Sequence, residues 1–340
     1  MAVGDQRRRR IFNPADGVMA MRVAIFNDTS VTNHFGCTAV MSAIIEACAQ
    51  NNVEIAYRWP VGEDWQPFKA ILDQYKVDAF IVNGEGSIHH SIDRPRARSL
   101  CALGPYAESK GIPAYLINAS VEALENAELE NLKTFTAISV RESLSQQYLA
   151  HHGIASEVAG DLSFSTAISD NGKRSGILVT DSVLRPVSTV LEKIARRSNA
   201  KYMSMRTRHT VLQRLMKKLS ADEERPITSE LDPKLRERLT QFTNMLSKSE
   251  FLLTGRFHSV CLGLLTHTPM IAVNSNTHKI SGILNDALGN THRVVDTQSL
   301  DDFDLKAQMQ PWTDVERSAS MDYLKKMQVT QAEFFTRIFA

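Results

Sequence analysis

Ser175-Gly176-Ile177-Leu178-Val179-Thr180 is the stretch that sets the fold. It is a short apolar run behind a turn-prone segment, and it restarts a pattern that first begins at Arg22-Val23-Ala24-Ile25-Phe26-Asn27. Short runs that are apolar throughout, rather than alternating, read as strands buried on both faces. After the first run, strands are expected at 53–57, 79–83, 114–118, 136–140 and 156–159, with helices at 38–50, 94–110 and 141–151. After the second, strands are expected at 200–203, 251–254, 270–274 and 293–295, with helices at 183–197, 207–219, 233–247, 258–265 and 279–288. Strands that alternate with helices need crossover connections, and so build a mostly parallel sheet covered on both faces. The polar run Ser169-Asp170-Asn171-Gly172-Lys173-Arg174 between the halves reads as a linker. The chain is therefore α/β, with two doubly wound, Rossmann-like domains, 21–168 and 169–312, facing a cleft. A flexible basic extension at 1–20 precedes them, and an amphipathic C-terminal helix at 313–340 completes the chain.

Composition narrows the function classes. The 340 residues are 43% hydrophobic and 23% charged, which excludes a disordered chain, a collagen-like repeat and a small disulfide scaffold. A net charge of +1 gives no global attraction to nucleic acid. No apolar run is long enough to predict a membrane-spanning helix. Cys37, Cys48, Cys101 and Cys261 are scattered and form no C-x-x-C pair, which argues against a zinc motif and a disulfide framework and favours a reducing cytoplasm. Arg7 to Arg10 resemble the basic region of a signal peptide, but Asn13, Pro14 and Asp16 break the apolar stretch that a signal peptide needs next. The stretch 201–218 carries Lys201, Arg206, Arg208, Arg214, Lys217 and Lys218 without an acid. A solvated helix face is the ordinary explanation of such a run. Peripheral docking to an anionic membrane surface, or to an anionic glycan, is the functional alternative. No aromatic stacking pattern accompanies the run, so nucleic acid is not an expected partner.

Ligands of doubly wound sheets bind beyond the carboxyl ends of the strands, and paired domains bind them in the cleft. Four such segments carry chemistry. Asn33, Gly36 and Cys37 come after the first strand and open a helix, where backbone N–H groups can meet an anion. Gly84-Glu85-Gly86-Ser87 and then His89 and His90 come after the third strand, placing titratable groups beside glycines that permit close approach. The adjacent histidines suggest a metal, but no second ligand cluster stands at suitable spacing, so none is expected. Arg141 closes a strand and opens a helix, where its guanidinium can fork onto a carboxylate or phosphate, and Asp161 after Gly160 either orients a basic residue or caps a turn. Gly255-Arg256-Phe257-His258-Ser259 joins a buried strand to an apolar helix, pairing a cation with a histidine suited to proton transfer, and Lys279 opens the next helix.

These residues resemble the polysaccharide pyruvyltransferase family. Gly255-Arg256-Phe257-His258, then Pro269-Met270-Ile271-Ala272-Val273 and Lys279, looks like its C-terminal half. Val140-Arg141-Glu142-Ser143 with Gly153-Ile154 and Gly160-Asp161-Leu162 resembles its middle, and Gly84-Glu85-Gly86-Ser87 stands at its glycine triplet. Two positions depart from the family. Its Asn-x-Gly-Asp reads Asn33-His34-Phe35-Gly36-Cys37 here, without the Asp, and Glu85 interrupts the triplet. The resemblance implies a GT-B-like fold and transfer of the enolpyruvyl carbons of phosphoenolpyruvate, as donor substrate, to a sugar or lipid-linked glycan as a ketal, with no cofactor. Under it Arg256, Arg141 and Lys279, with Ser259, bind the donor. His258 is the general acid and Glu85 the base, with His89 and His90 as weaker candidates. Asn33, Gly36, Gly84, Gly86, Ser87 and Asp161 line the acceptor side or the cleft. A nucleotide-sugar glycosyltransferase of the same architecture and a non-catalytic glycan-binding or assembly protein are the alternatives.

Overall fold

The computed structural model describes residues 20–169, 172–206 and 226–340. The basic extension up to residue 19, the linker tip at 170–171, and the expected helix at 207–219 with most of the basic stretch lie outside the described residues. The first sheet contains β1 (Arg22–Asp28), β2 (Glu54–Pro60), β3 (Ala79–His89), β4 (Ala114–Glu122), β5 (Ala137–Val140) and β6 (Glu157–Val158), all parallel, in the order β2-β1-β3-β4-β5-β6. The second contains β7 (Ile177–Ser182), β8 (Lys201–Met203), β9 (Phe251–Gly255), β10 (Met270–Val273) and β11 (Val294–Val295), in the order β11-β10-β9-β7-β8 and also parallel. In each sheet the first strand lies inside, and its next two partners flank it. The order therefore reverses between β1 and β3 and between β7 and β9, which opens a crevice at their carboxyl ends. The central strands are apolar because helices cover both faces: Val23 to Phe26, Phe80 to Val82 and Leu252 to Leu253 are buried.

Local chemistry sets the helix ends. Asp232 accepts from the Lys234 N–H and Pro233 occupies the first helical position, so the helix Pro233–Ser247 starts where the sequence places it. Thr313 and Glu316 form a reciprocal capping box at the start of Asp314–Ile338. The helix expected at 94–110 is two, Pro95–Cys101 and Leu103–Ser109. Pro105 cannot donate to a preceding turn, so it is accommodated in the first turn of a new helix.

The largest departure concerns Gly84 to His89. These residues are not a loop after β3; they continue it, with a register shift against β4 between Glu85 and Ile88. The irregularity includes Glu85 at a positive φ of 38°. A bulge re-aims side chains without ending the strand, so β3 carries its polar residues into the crevice as part of the sheet.

The domains are bound by buried contacts rather than by the linker alone. The helix Phe35–Gln50 of the first domain meets Pro233–Ser247 of the second, with Phe35 stacked on Phe242 at 5.1 Å. The C-terminal helix then crosses back, a length of about 37 Å at 1.5 Å per residue. Its Tyr323, Leu324 and Met327 join the core of the second domain, and its Phe334, Phe335 and Ile338 join that of the first beside Val40 and Ile44. Gln331 donates to the carbonyls of Ala159 and Asp161 at 2.8 and 3.0 Å.

Arg293 anchors the start of that helix. Its buried guanidinium binds Glu316 and the carbonyls of Met270 and Pro311, and it lies 4.5 Å over Trp312. Removing one partner of a buried pair strands the other. Arg293→Met is expected to cost about 3–5 kcal/mol, read as a lower urea midpoint at an unchanged slope.

Candidate functional site

Arg141 stands directly after β5, and its backbone N–H is fixed to the Ala119 carbonyl of β4. Its side chain is 1% exposed. Nε and Nη2 donate to Ser120 Oγ at 3.0 and 2.7 Å, Nη1 stands 3.3 Å from Asp161 Oδ2, and the guanidinium lies 4.1 Å over the ring of Phe257. Ser120, Asp161 and Arg141 belong to the first domain and Phe257 to the second, so this cation sits at the seam. Asp161 also caps the turn Leu162–Ser165 through the Ser163 N–H. It therefore does both things the sequence allows it: it caps a turn and orients a basic residue.

Two groups from the second domain face Arg141. Lys279, at the start of the helix Lys279–Leu288, is buried, and among the described residues its Nζ makes one long bond, 3.5 Å to Asn276 Oδ1. Burial first, and Arg141 beside it second, lower its pKa to about 8. His258, in the first turn of Phe257–Leu265, is also buried. Its Nε2 has no hydrogen-bond partner and stands 3.6 Å from Asp161 Oδ2, beyond bonding range. Burial lowers its pKa despite Asp161 and Glu85 nearby, so the ring is neutral in the free protein. Gly86 of β3 completes the cradle. A Cβ there would lie 3.6 Å from Lys279 Nζ and 3.8 Å from Arg141 Nη2. Two buried cations on one unsubstituted backbone position, beside an imidazole nitrogen without a partner, give the site a positive potential.

The other expected residues fall in different places. Gly36 packs directly under His258: a Cβ would come within 2.1 Å of that ring's Cγ. Arg256 does not present a free guanidinium. It stands at the N-cap position of the same helix without capping it and binds Asp181 through two bonds of 2.9 and 2.7 Å, and Asp181 in turn accepts from Ser204 and the Met205 N–H. This pairing anchors it at the carboxyl end of β7. Ser259 is fully buried against Thr180, 3.2 Å away, below the site. Gly84 serves the sheet, since a Cβ would lie 2.5 Å from that of Ala119. Ser87 is buried and meets Asn27 Nδ2 at 3.4 Å. Asn33 ends a short turn at a φ of 53° and lines a separate cavity with Asp28, Arg58 and Leu231. Glu85 accepts from Thr29, from Asn83 Nδ2 at 3.2 Å and from Cys37 Sγ at 3.3 Å, so its carboxylate is tied rather than free.

His89 and His90 do not join Glu85. Their Nδ1 atoms face each other at 2.9 Å, and His90 Nδ1 lies 3.6 Å from Glu122 at the end of β4. Glu122 belongs to a set that no short motif marks. His278 of the second domain is held between Glu122 and Glu142 of the first, the latter at 3.2 Å. Glu142 also accepts from Ser120 at 2.8 Å, which links this set to Arg141. The signal available in sequence was Glu142 itself, inside the Arg141 motif; Glu122 and His278 are brought to it only by folding.

Burial opposes the charge on His278, but its bonds to Glu122 and Glu142 outweigh it and raise the pKa from 6.5 to about 9. A raised pKa stabilises the fold fully below the unfolded value and is lost as pH rises through the folded one. The contribution of this clamp is therefore present below pH 6.5 and disappears toward and above pH 9. His278→Gln is expected to flatten that alkaline loss in thermal melts collected across the interval.

The family model for polysaccharide pyruvyl transferase matches residues 34–277. No curated protein matches the chain. Among solved structures, a UDP-N-acetylglucosamine 2-epimerase aligns with a TM-score of 0.54 at 13% identity, over 91% of this chain and 94% of its own. MnaA of S. aureus, solved with UDP, aligns at 0.51 and 12%, over 92% and 97%. The UDP-GlcNAc 2-epimerase of Methanocaldococcus jannaschii, solved with UDP-GlcNAc and UDP, aligns at 0.50 and 12%, over 91% and 100%. At these identities the likeness is one of fold, a GT-B-like pair of domains. The family match spans most of both domains and includes Arg141 and His258: the chain belongs to the polysaccharide pyruvyl transferase family.

Proposed function

We propose that this chain transfers the enolpyruvyl carbons of phosphoenolpyruvate to a sugar of a cell-surface polysaccharide or its precursor, forming a ketal. The observation that carries this reading is the pairing of two buried, like-charged side chains, Arg141 and Lys279, around Gly86. Like charges in a low-dielectric site repel, and an anion between them relieves both. Phosphoenolpyruvate supplies a phosphate and a carboxylate, one for each cation.

In this reading His258 protonates the methylene carbon of the donor. The neighbouring carbon becomes electrophilic, and a sugar hydroxyl adds to it. The carbon–oxygen bond to phosphate then breaks, and a second hydroxyl completes the ketal. One hydroxyl proton replaces that lost by His258, and the other leaves on the phosphate. Asp161 holds Arg141 and faces His258, so it stabilises the imidazolium that protonation of the donor consumes. Glu85, tied to three donors, contributes negative potential beside His258 rather than a free base. Removing His258 should lower turnover by about 10²–10⁴-fold, the usual worth of a positioned acid.

The donor is tested by thermal shift with phosphoenolpyruvate beside a panel of nucleotides and nucleotide sugars. At a hundred times its dissociation constant a ligand adds about 2.7 kcal/mol of stability. Lys279→Met is expected to abolish the phosphoenolpyruvate shift while leaving the unliganded melting temperature unchanged or higher, since it removes a desolvated charge. A shift with one nucleotide family alone would replace the donor. Because His258 is neutral in the free protein, the incoming anion should raise its pKa, so binding takes up a proton and weakens as pH rises. Calorimetry in buffers of different ionisation enthalpy reads that uptake.

A further inference from the structure

The start of the helix Phe35–Gln50 lies against the proposed acid. His34 and Cys37 stand at the start of the helix Phe35–Gln50, three residues apart, and Gly36 between them packs on the ring of His258. One donor atom each of His34, Cys37 and His258 lies within 4.8 Å of the other two, and all three side chains are buried. The rings of His34 and His258 are 5.5 Å apart. Two nitrogens there, His34 Nδ1 and His258 Nε2, are buried without a hydrogen-bond partner. Buried polar atoms are normally satisfied, so each orphan needs a reason. Cys37 Sγ is bonded at 3.3 Å to Glu85 Oε2, which places a carboxylate at the edge of the group.

We propose that His34, Cys37 and His258 form a three-ligand binding site for a soft divalent ion of the zinc type, its fourth position left to water or a bound ligand. Two imidazoles and a thiolate match that ion's preference for nitrogen and sulfur in a tetrahedron. At bond lengths of about 2.0–2.3 Å, tetrahedral donors stand about 3.3–3.8 Å apart, inside the observed bound. The Cys37 thiolate opposes the charge of the ion directly, and the Glu85 carboxylate beside it adds negative potential in a buried setting. Binding must displace the Cys37 thiol proton. Where His258 acts as the acid, a claim that rests on the proposed function, the ion and the proton compete for one imidazole and zinc is a reversible inhibitor.

The second group of ligand-type residues, His89, His90 and Glu122, is the internal control. Glu122 is already bonded to His278, and Arg94 and Lys279 place positive charge against His89. Chelator-treated full-length protein is titrated with cobalt(II), monitored by absorption, and then with zinc(II) to displace it. The expected result is one ion per chain, with tetrahedral cobalt bands and a thiolate-to-cobalt charge-transfer band. Cys37→Ser should lose the charge-transfer band, and His34→Ala should weaken binding by about 100-fold or more, beyond the 10–100-fold typical of outer-shell partners. His89→Ala should change neither. Circular dichroism of each variant confirms the fold. Absence of the charge-transfer band from the unmodified chain, binding indifferent to His34 and Cys37, or binding lost only in His89→Ala would overturn the proposal. None of these readings depends on turnover, so failure of pyruvyl transfer would leave the site standing and failure of the site would leave the transfer standing.

Discussion

A guanidinium buried at the seam between two sheets is the constraint around which this molecule is organised. Arg141 leaves β5 with its backbone tied to β4 and its side chain shared among Ser120, Asp161 and the face of Phe257. A charge taken out of water must be met by hydrogen bonds and opposite charge. Each group that meets Arg141 is itself fixed elsewhere: Asp161 caps a turn, Ser120 donates to Glu142, and Phe257 opens the helix that bears His258. The two domains are thus held in register at the place where chemistry would occur.

The same region leaves part of its electrostatics unsettled. Lys279 is buried beside Arg141 without a carboxylate of its own among the described residues, His258 carries an orphaned nitrogen, and Glu85 holds a left-handed backbone. Such features cost free energy, and they persist because the surrounding cores over-determine them. The C-terminal helix belongs to that surrounding structure. By entering both cores and binding the carbonyls on either side of Gly160, it keeps Asp161 in place under the site.

The two sheets offer contrasting uses of similar elements. Arg256 and Arg141 both come directly after a strand, and both precede a helix. Arg256 forks onto Asp181 in full bidentate geometry through Nε and Nη2. Arg141 meets Asp161 through one contact of 3.3 Å and a hydroxyl, which leaves its charge only partly compensated. Residue type and position relative to a strand are the same; the number of carboxylate oxygens within reach is what differs.

The alternation of short apolar runs with helical stretches sufficed to read two parallel sheets, because burial on both faces is written into consecutive residues. The starts of β3 and β4 and helices such as Pro233–Ser247 and Lys279–Leu288 were equally legible, since caps and prolines act within a few residues. Arg141, Lys279, His258 and Gly86 could be named from their places after strands, but not their mutual contact. Three matters rested on the tertiary structure alone. Gly84 to His89 remain in β3 because β4 pairs with them across a bulge. His278 meets Glu122 and Glu142, and His34 meets His258, only because two domains close on each other. Those partners are more than a hundred residues apart, and neither spacing nor propensity reaches that far. Local patterns record which surface a residue must bury, whereas the partner of a buried charge is chosen by packing.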